Sequence, residues 1–406
     1  MDDIQDLDLM DPEVFAHGIP HDHFRRLRAA DRLTLGTDTD GSTFWYLVRH
    51  RDVSDVSRDT ARFHSSPTTM TSVRKADPSP PIITFLDGLD HTRIRKLTFK
   101  AFAPARLAAL EQPIGRIVDT ILSEMRERGE FDLADDVALR LPFEVLLELL
   151  DIPAGDREMV LDWSHATVNL GDPEYDRNMS GEGEDCFQKI YEYLVDFAGY
   201  RAKHPADDCF SLLLDARLKS SRLDLPDRLS PEEVGLFAST LITAGSETTY
   251  CSVTGGVLAL LESPDQLDLL RGDRTLLPTA TNEVLRWVTP VTHFARTAVV
   301  DTEVGGQPIR AGERVVLWYS SANRDEDVFT DPDRFDITRS PNPHLTFGGG
   351  GPHVCIGNGL ATMELRAFLS GVLDLLPQLE ITGPPVRPET NFMNSIKHLP
   401  MRFGGG

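Results

Sequence analysis

The residues with the clearest chemical potential lie in one stretch of this 406-residue chain, Phe347-Gly348-Gly349-Gly350-Gly351-Pro352-His353-Val354-Cys355-Ile356-Gly357. A run with helical character, Leu360 to Leu375, follows at once. A glycine-rich loop therefore delivers one cysteine to a helix N-terminus, where the helix dipole and the free backbone amides favour a thiolate. A thiolate held in this way suits a strongly donating iron ligand, and glycines let the backbone lie close to a flat macrocycle. The competing readings are a phosphate-binding loop and a structural turn with an incidental cysteine. Against the first, no register gives Gly-x-Gly-x-x-Gly and no Lys-Ser or Lys-Thr follows. Cys186, Cys209 and Cys251 are scattered without a Cys-x-x-Cys pair, so neither zinc nor an iron–sulfur cluster is suggested.

A second cluster, Ala244-Gly245-Ser246-Glu247-Thr248-Thr249, sits midway along a long apolar run. It is poor helix interior: Gly costs ~1 kcal/mol against Ala, and Thr can bond back to the preceding turn. By itself it is compatible with a satisfied buried Thr and a Glu reaching solvent. Glu283 and Arg286 stand at i and i+3, where side chains on a helix meet. Such a pair is usually a surface ion pair of under ~1 kcal/mol, but Asp331-Pro332-Asp333-Arg334-Phe335 follows about fifty residues later. His17, His21 and His23 do not form a metal site on this reading, because Pro20 interrupts any helix that would align them.

The elements that position these groups are mostly helices. Ser230-Pro231-Glu232-Glu233 has a capping serine, a proline at the first helical position and a glutamate three residues on, and it predicts a helix to about Glu262. About 32 residues at ~1.5 Å each would extend on the order of 48 Å, enough to cross a domain. This helix is apolar on nearly every side and is expected to be central. Leu141, Val145, Leu146 and Leu149 mark a buried helical face. Ser263-Pro264 starts the next helices, one of which carries Glu283 to Trp287. Strands are expected at Phe44 to Val48, and at Thr297 to Val304 and Arg314 to Tyr319, the latter two flanking the turn Gly305-Gly306. Ser65 to Pro81 reads as a loop, and Asn169 to Gly183 as a mobile connection.

With 40% hydrophobic and 8% aromatic residues, the composition excludes general disorder, and no linker separates halves, so residues 1–406 are expected to form one unit. A net charge of -23 argues against nucleic acid as a partner. The basic run Arg93, Arg95, Lys96, Lys100 and Arg106 stands out for that reason. The first ten residues hold Asp2, Asp3, Asp6 and Asp8 with no basic flank, and no apolar run approaches ~18 residues. No membrane segment and a cytoplasmic location are expected.

Taken together, the cysteine loop, the Ala244–Thr249 cluster, Glu283-x-x-Arg286 and Asp331–Phe335 resemble bacterial cytochrome P450 enzymes over essentially the whole chain. One departure is that Cys355 lies eight residues after Phe347, where the family usually has seven. The extra glycine, with the ending Asn391 to Pro400, is similar to an actinobacterial subgroup acting on sterols, terpenoids and methyl-branched lipids. The resemblance implies a mainly α fold with small β-sheets, richer in strand toward the N-terminus and around residues 297–320, and a long central helix over the haem. It implies haem b with Cys355 as the iron ligand, Phe347 and Gly357 flanking it, and His91, Arg95, Arg296 and His353 at the propionates. Glu247 and Thr248 would form the oxygen-activating pair. Substrate contacts would come from Leu241, Ala244, Gly245, Val291, Phe294, Phe392 and Met393, and from segments near Met70 to Thr84 and Val168. Glu283, Arg286 and Arg334 would form a structural network under the cysteine loop.

The expected activity is insertion of one oxygen atom from O2 into a hydrophobic small molecule such as a terpenoid, steroid or polyketide. Electrons from NAD(P)H would arrive through a ferredoxin reductase and an acidic ferredoxin docking on the basic run, with Arg95 turned inward to a propionate. A monomer is expected. Two other classes compete: a P450-fold enzyme doing oxidative coupling, dehydration or peroxide-driven chemistry, and a haem-based sensor.

Overall fold

Ser230 and Glu233 close the predicted capping box. The Glu233 amide donates to Ser230 Oγ (3.2 Å) and the Ser230 amide donates to Glu233 Oε2 (2.9 Å). The helix so started runs over Pro231–Glu262, as its spacing predicts. The computed structural model describes residues 7–30, 32–37, 41–71, 82–165, 182–218 and 225–404. Contacts gather the chain into two units, each assembled from separate stretches of sequence.

The first unit comprises residues 1–88, 258–355 and 389–395. Its main sheet has five strands in the order β1 (Thr34–Thr37), β2 (Thr43–Leu47), β8 (Arg314–Trp318), β5 (His293–Ala298) and β3 (Phe63–His64). Strands β2 and β8 are parallel, and the other neighbours are antiparallel. The β5–β8 register pairs His293 with Trp318 and Arg296 with Val315. One face of the sheet is filled by Leu47, Val53, Phe63, Val315 and Leu317, and the other by Phe15, Phe24, Phe44 and Trp318. Gly305 and Gly306, with φ of +56° and +82°, join β6 (Thr302–Val304) to β7 (Gln307–Ile309) in a tight hairpin. Arg314 to Trp318 is thus not the strand paired across that turn. Two positive φ angles favour a two-residue hairpin closed by the immediate flanks, which leaves β8 for the large sheet.

The second unit comprises residues 89–257, 356–388 and 396–406 and is mainly helical. It holds most of the central helix, Pro104–Arg128, Arg140–Leu149, Glu182–Lys203 and Asn358–Val372. Leu141, Val145, Leu146 and Leu149 are all buried, as their spacing predicts. A small sheet pairs β10 (Pro400–Phe403) with β4 (Glu130–Asp132) and β9 (Leu379–Ile381). Tyr250 on the central helix donates its hydroxyl to the Ile396 carbonyl, fixing that helix to the C-terminal segment.

Candidate active site

In the first unit, the loop before Cys355 is fixed by its own backbone. The Cys355 amide donates to the Phe347 carbonyl (2.9 Å) and the Gly348 amide to Leu345 (2.8 Å). Two of its glycines answer a packing need. A Cβ on Gly349 would lie 2.6 Å from Ser57 Oγ and 2.9 Å from Ser54 Cα, and one on Gly351 would lie 2.8 Å from the Ser57 carbonyl. The loop therefore lies flat on the helix His50–Arg58, which no side chain at these positions would allow. The Cys355 residue is exposed, and Phe347 is half-buried.

His353 Nε2 lies 3.5 Å from Asp87 Oδ1 and 3.4 Å from Ser65 Oγ. Asp87 also accepts from the Ser65 amide (3.0 Å) and the Ser66 amide (2.9 Å). Burial raises the Asp87 pKa, but the bonds from His353 and the two serine amides outweigh it and hold the carboxyl well below the usual range. Asp87 carries no signal of this role in the sequence, since its partners are more than twenty residues away.

Arg296, on β5, is buried, and its Nη1 donates to the Ala295 carbonyl (2.8 Å). No carboxylate pairs with it among the described residues. A buried guanidinium without an anionic partner in the chain suits an anionic ligand.

The Glu-x-x-Arg pair is fully buried. Arg286 grips Glu283 with two bonds of 2.7 and 2.8 Å. Arg286 Nη2 reaches Arg334 at its backbone carbonyl (3.2 Å), and the Arg334 side chain is exposed. The second cation on Glu283 is Arg339, whose Nε donates at 3.1 Å. The turn Asp331–Arg334 supplies the Pro332 and Arg334 carbonyls to Arg286, and Arg339 reaches back across it to the Thr330, Asp331 and Arg334 carbonyls.

In the second unit, Ala244, Gly245, Glu247 and Thr248 lie midway along the central helix. Ala244 is exposed and Gly245, Glu247 and Thr248 are half-buried, within a helix whose other positions are largely buried. A Cβ on Gly245 would sit 3.2 Å from Leu146 Cδ1, so the glycine also lets a neighbouring helix approach. Thr248 Oγ1 donates to the Ala244 carbonyl (3.0 Å), and Ser252 Oγ donates to the Thr248 carbonyl (3.0 Å). With its one hydrogen committed to Ala244, the Thr248 hydroxyl offers lone pairs to whatever donor lies beyond it. Leu241 is buried on the same helix.

On the helix Gly88–Thr98, His91 is buried and Arg95 is half-buried one turn later. Arg93 is buried against Glu233, the capping residue of the central helix, and donates to the Arg228 carbonyl (3.1 Å). Arg106 pairs with Asp151 at 3.2 Å. Lys96 and Lys100 are exposed, as is Phe99 between them. Of the basic run, Arg93 therefore serves the fold, and Lys96 and Lys100 remain on the surface. Gly357 caps the helix Asn358–Val372.

Back in the first unit, Val291 bridges Met393 in antiparallel fashion, and Phe294 lies 5.5 Å from Phe392. Met70 and Thr84 are described, whereas residues 72–81 and Val168 lie outside the described residues.

A model of the cytochrome P450 family matches residues 175–397. Steroid C26-monooxygenase of Rhodococcus jostii is 36% identical, over 98% of this chain and 84% of its own. Linalool 8-monooxygenase of Pseudomonas putida is 35% identical, over 97% of each chain. The solved cytochrome P450 CYP268A2 of Mycobacterium marinum, in complex with pseudoionone, superposes with a TM-score of 0.88 at 33% identity, covering 99% of this chain and 100% of that one. This chain belongs to the cytochrome P450 family. It is a monooxygenase, an oxidoreductase that uses haem and O2.

The residues present in the first unit fit a haem: an exposed cysteine on a fixed loop, and a buried guanidinium with no anion of its own among the described residues. Among the described residues no helix is long and apolar enough to cross a membrane.

Proposed function

We propose that this enzyme inserts one atom of O2 into a steroid or terpenoid-like molecule, with Cys355 as the proximal ligand of haem iron. The observation that carries the reading is the exposed Cys355 at the end of a loop locked at Phe347 and laid on the helix His50–Arg58. When bound, haem b supplies the binding of O2 and its activation by two electrons. The remaining work falls to the side chains. Cys355 donates electron density as a thiolate. Arg296 neutralises a propionate, His91 and Arg95 serve from one helix face, and His353 is oriented by Asp87. Phe347 and Gly357 flank the ligand loop.

Thr248 and Glu247 handle protons. The Thr248 hydroxyl gives its hydrogen to Ala244 and therefore accepts from a donor in the pocket, which lets it hold a water in line. Glu247, half-buried at the preceding position, connects that water to solvent as a general acid.

Leu241, Ala244, Gly245, Val291, Phe294, Phe392 and Met393 present no charged side chain, which suits an apolar substrate. The named substrates of the relatives, a steroid and linalool, and the pseudoionone in the solved neighbour support an isoprenoid skeleton. Electrons come from NAD(P)H through a ferredoxin and its reductase, docking at Lys96 and Lys100, where complementary charge steers a weak and fast encounter.

The test is the visible spectrum of the reduced, haem-loaded protein with carbon monoxide. The wild type is expected to show the thiolate band, and Cys355→Ser to lose it together with activity while keeping its helical circular dichroism. A band unchanged in Cys355→Ser would overturn the ligand assignment.

A further inference from the structure

Thr292 is fully buried between two segments of the first unit that carry four of the proposed substrate contacts. Its amide donates to the Phe392 carbonyl (2.9 Å). Its hydroxyl lies within bonding distance of the carbonyls of Asn391 and Phe392, the latter at 3.1 Å, and 2.9 Å from His293 Nδ1. Carbonyl oxygens only accept, and His293 Nε2 meets no hydrogen-bonding group among the described residues while the ring bonds the Asn391 backbone, so the imidazole hydrogen sits on Nδ1. That sets one tautomer of His293, and burial pushes its pKa down to about 3, so the ring is neutral.

The ring so held lies 4.5 Å from Trp318 and meets Phe392 edge-on at 5.8 Å. Phe392 in turn packs on Phe294 at 5.5 Å, and both phenyl rings are half-buried. The turn is held on its other flanks too. The Asn394 amide donates to the Pro290 carbonyl (2.8 Å), and Asn391 Nδ2 donates to the Leu9 and Met10 carbonyls (3.2 Å each). Among the described residues, the Thr292 hydroxyl and the His293 ring tie the Val291–Phe294 segment directly to the backbone on which Phe392 is mounted.

From this arrangement we infer that Thr292, acting with His293, is a positioning residue that aims Phe392 and thereby sets which carbon of a bound isoprenoid is oxidised. The inference rests on the reading that Phe294 and Phe392 touch the substrate. A shift on the order of 1 Å in a substrate wall changes which carbon is held for reaction, while leaving the oxidising chemistry intact. Thr292 touches neither substrate nor cofactor in this reading and acts through the Phe392 ring.

The haem-loaded enzyme is titrated with pseudoionone and with linalool, and products are analysed for the position of oxygen. Thr292→Val, which keeps the shape and removes the hydroxyl, is expected to weaken binding about fivefold. It should also change the ratio of regioisomers at least about threefold, with the reduced carbon monoxide spectrum unchanged. Thr292→Ser restores the hydroxyl and is expected to recover the wild-type ratio. Phe392→Ala is expected to change the ratio as well. If Phe392→Ala shifts the ratio and Thr292→Val does not, Thr292 does not position the wall. If Thr292→Ser behaves like Thr292→Val, the hydroxyl is not the cause and the inference falls. A Phe392→Ala enzyme with wild-type binding and products overturns the substrate-wall reading itself, and so does a wild type that binds neither probe.

Discussion

Glu283 and Glu364 are the same residue type with the same burial, 0% and 2% exposed, and they are kept in opposite ways. Glu283, in the first unit, accepts from Arg286, Arg339, Asn342 Nδ2 (3.0 Å) and the Asp336 amide (2.9 Å). Glu364, in the second unit, has an Oε2 that meets no hydrogen-bonding group among the described residues. Burial pushes its pKa well above the ordinary range. One stands at the centre of a cationic network, and the other is buried with no cation in the network's place among the described residues, its pKa raised by desolvation. Burial decides that a carboxyl must be compensated; its neighbours decide whether by cations or by a proton.

The largest effect is expected from Glu283→Gln, which keeps the shape and removes the charge between Arg286 and Arg339. Leaving buried guanidinium uncompensated costs about 3–5 kcal/mol. Chemical denaturation should show the loss, and haem retention should fall with it. A variant as stable as wild type would mean that the network holds no net charge balance.

Glu364→Met is expected to act in the other direction, raising stability at pH 7 by about 1–3 kcal/mol, because an uncompensated polar group gives way to a well-sized apolar one. Its pH signature is more specific. A carboxyl whose folded pKa is raised contributes stability that is fully present below the unfolded value of about 4.5 and declines by about 1.4 kcal/mol per unit as pH rises toward the folded value. Denaturation midpoints of wild type should therefore fall from pH 5 to pH 8 relative to those of Glu364→Met. Parallel profiles would show that Glu364 has found a partner.

The smallest effect separates two arginines. Arg334→Ala removes an exposed side chain and should change stability by no more than about 0.5 kcal/mol, since the carbonyl that Arg286 uses stays in place. Arg339→Ala removes a direct donor to Glu283 and should cost about 1.5–3 kcal/mol. Equal costs would place the Arg334 side chain in the network after all.

That last pair also marks what the sequence could and could not disclose. Spacing within one element was legible: Ser230 with Glu233, Glu283 with Arg286, and the apolar face of Arg140–Leu149 all follow from helix geometry. Glu364 has Arg366 two residues away, but i and i+2 point to different faces, and Arg366 is exposed. Partners chosen across the chain left no such trace. Arg339 replaces Arg334 on Glu283 because a turn folds back, and Arg93 leaves the basic surface because Glu233, 140 residues on, lies beside it. The cysteine loop was recognisable from its residues, but the reason for Gly349 and Gly351 was not. It lies in Ser54 and Ser57, which only the folded chain brings alongside.

The seating of that loop has a consequence for exchanging parts between members of the family. Residues 347–355 and the helix His50–Arg58 are nearly three hundred positions apart, yet the backbone of one is moulded to the small side chains of the other. They form a single heritable module with two addresses in the gene. A recombinant that imports this eight-spaced loop onto a helix with a side chain larger than Ser57 would put atoms where Gly349 must lie, and the joint would have to open before the cysteine could take its place.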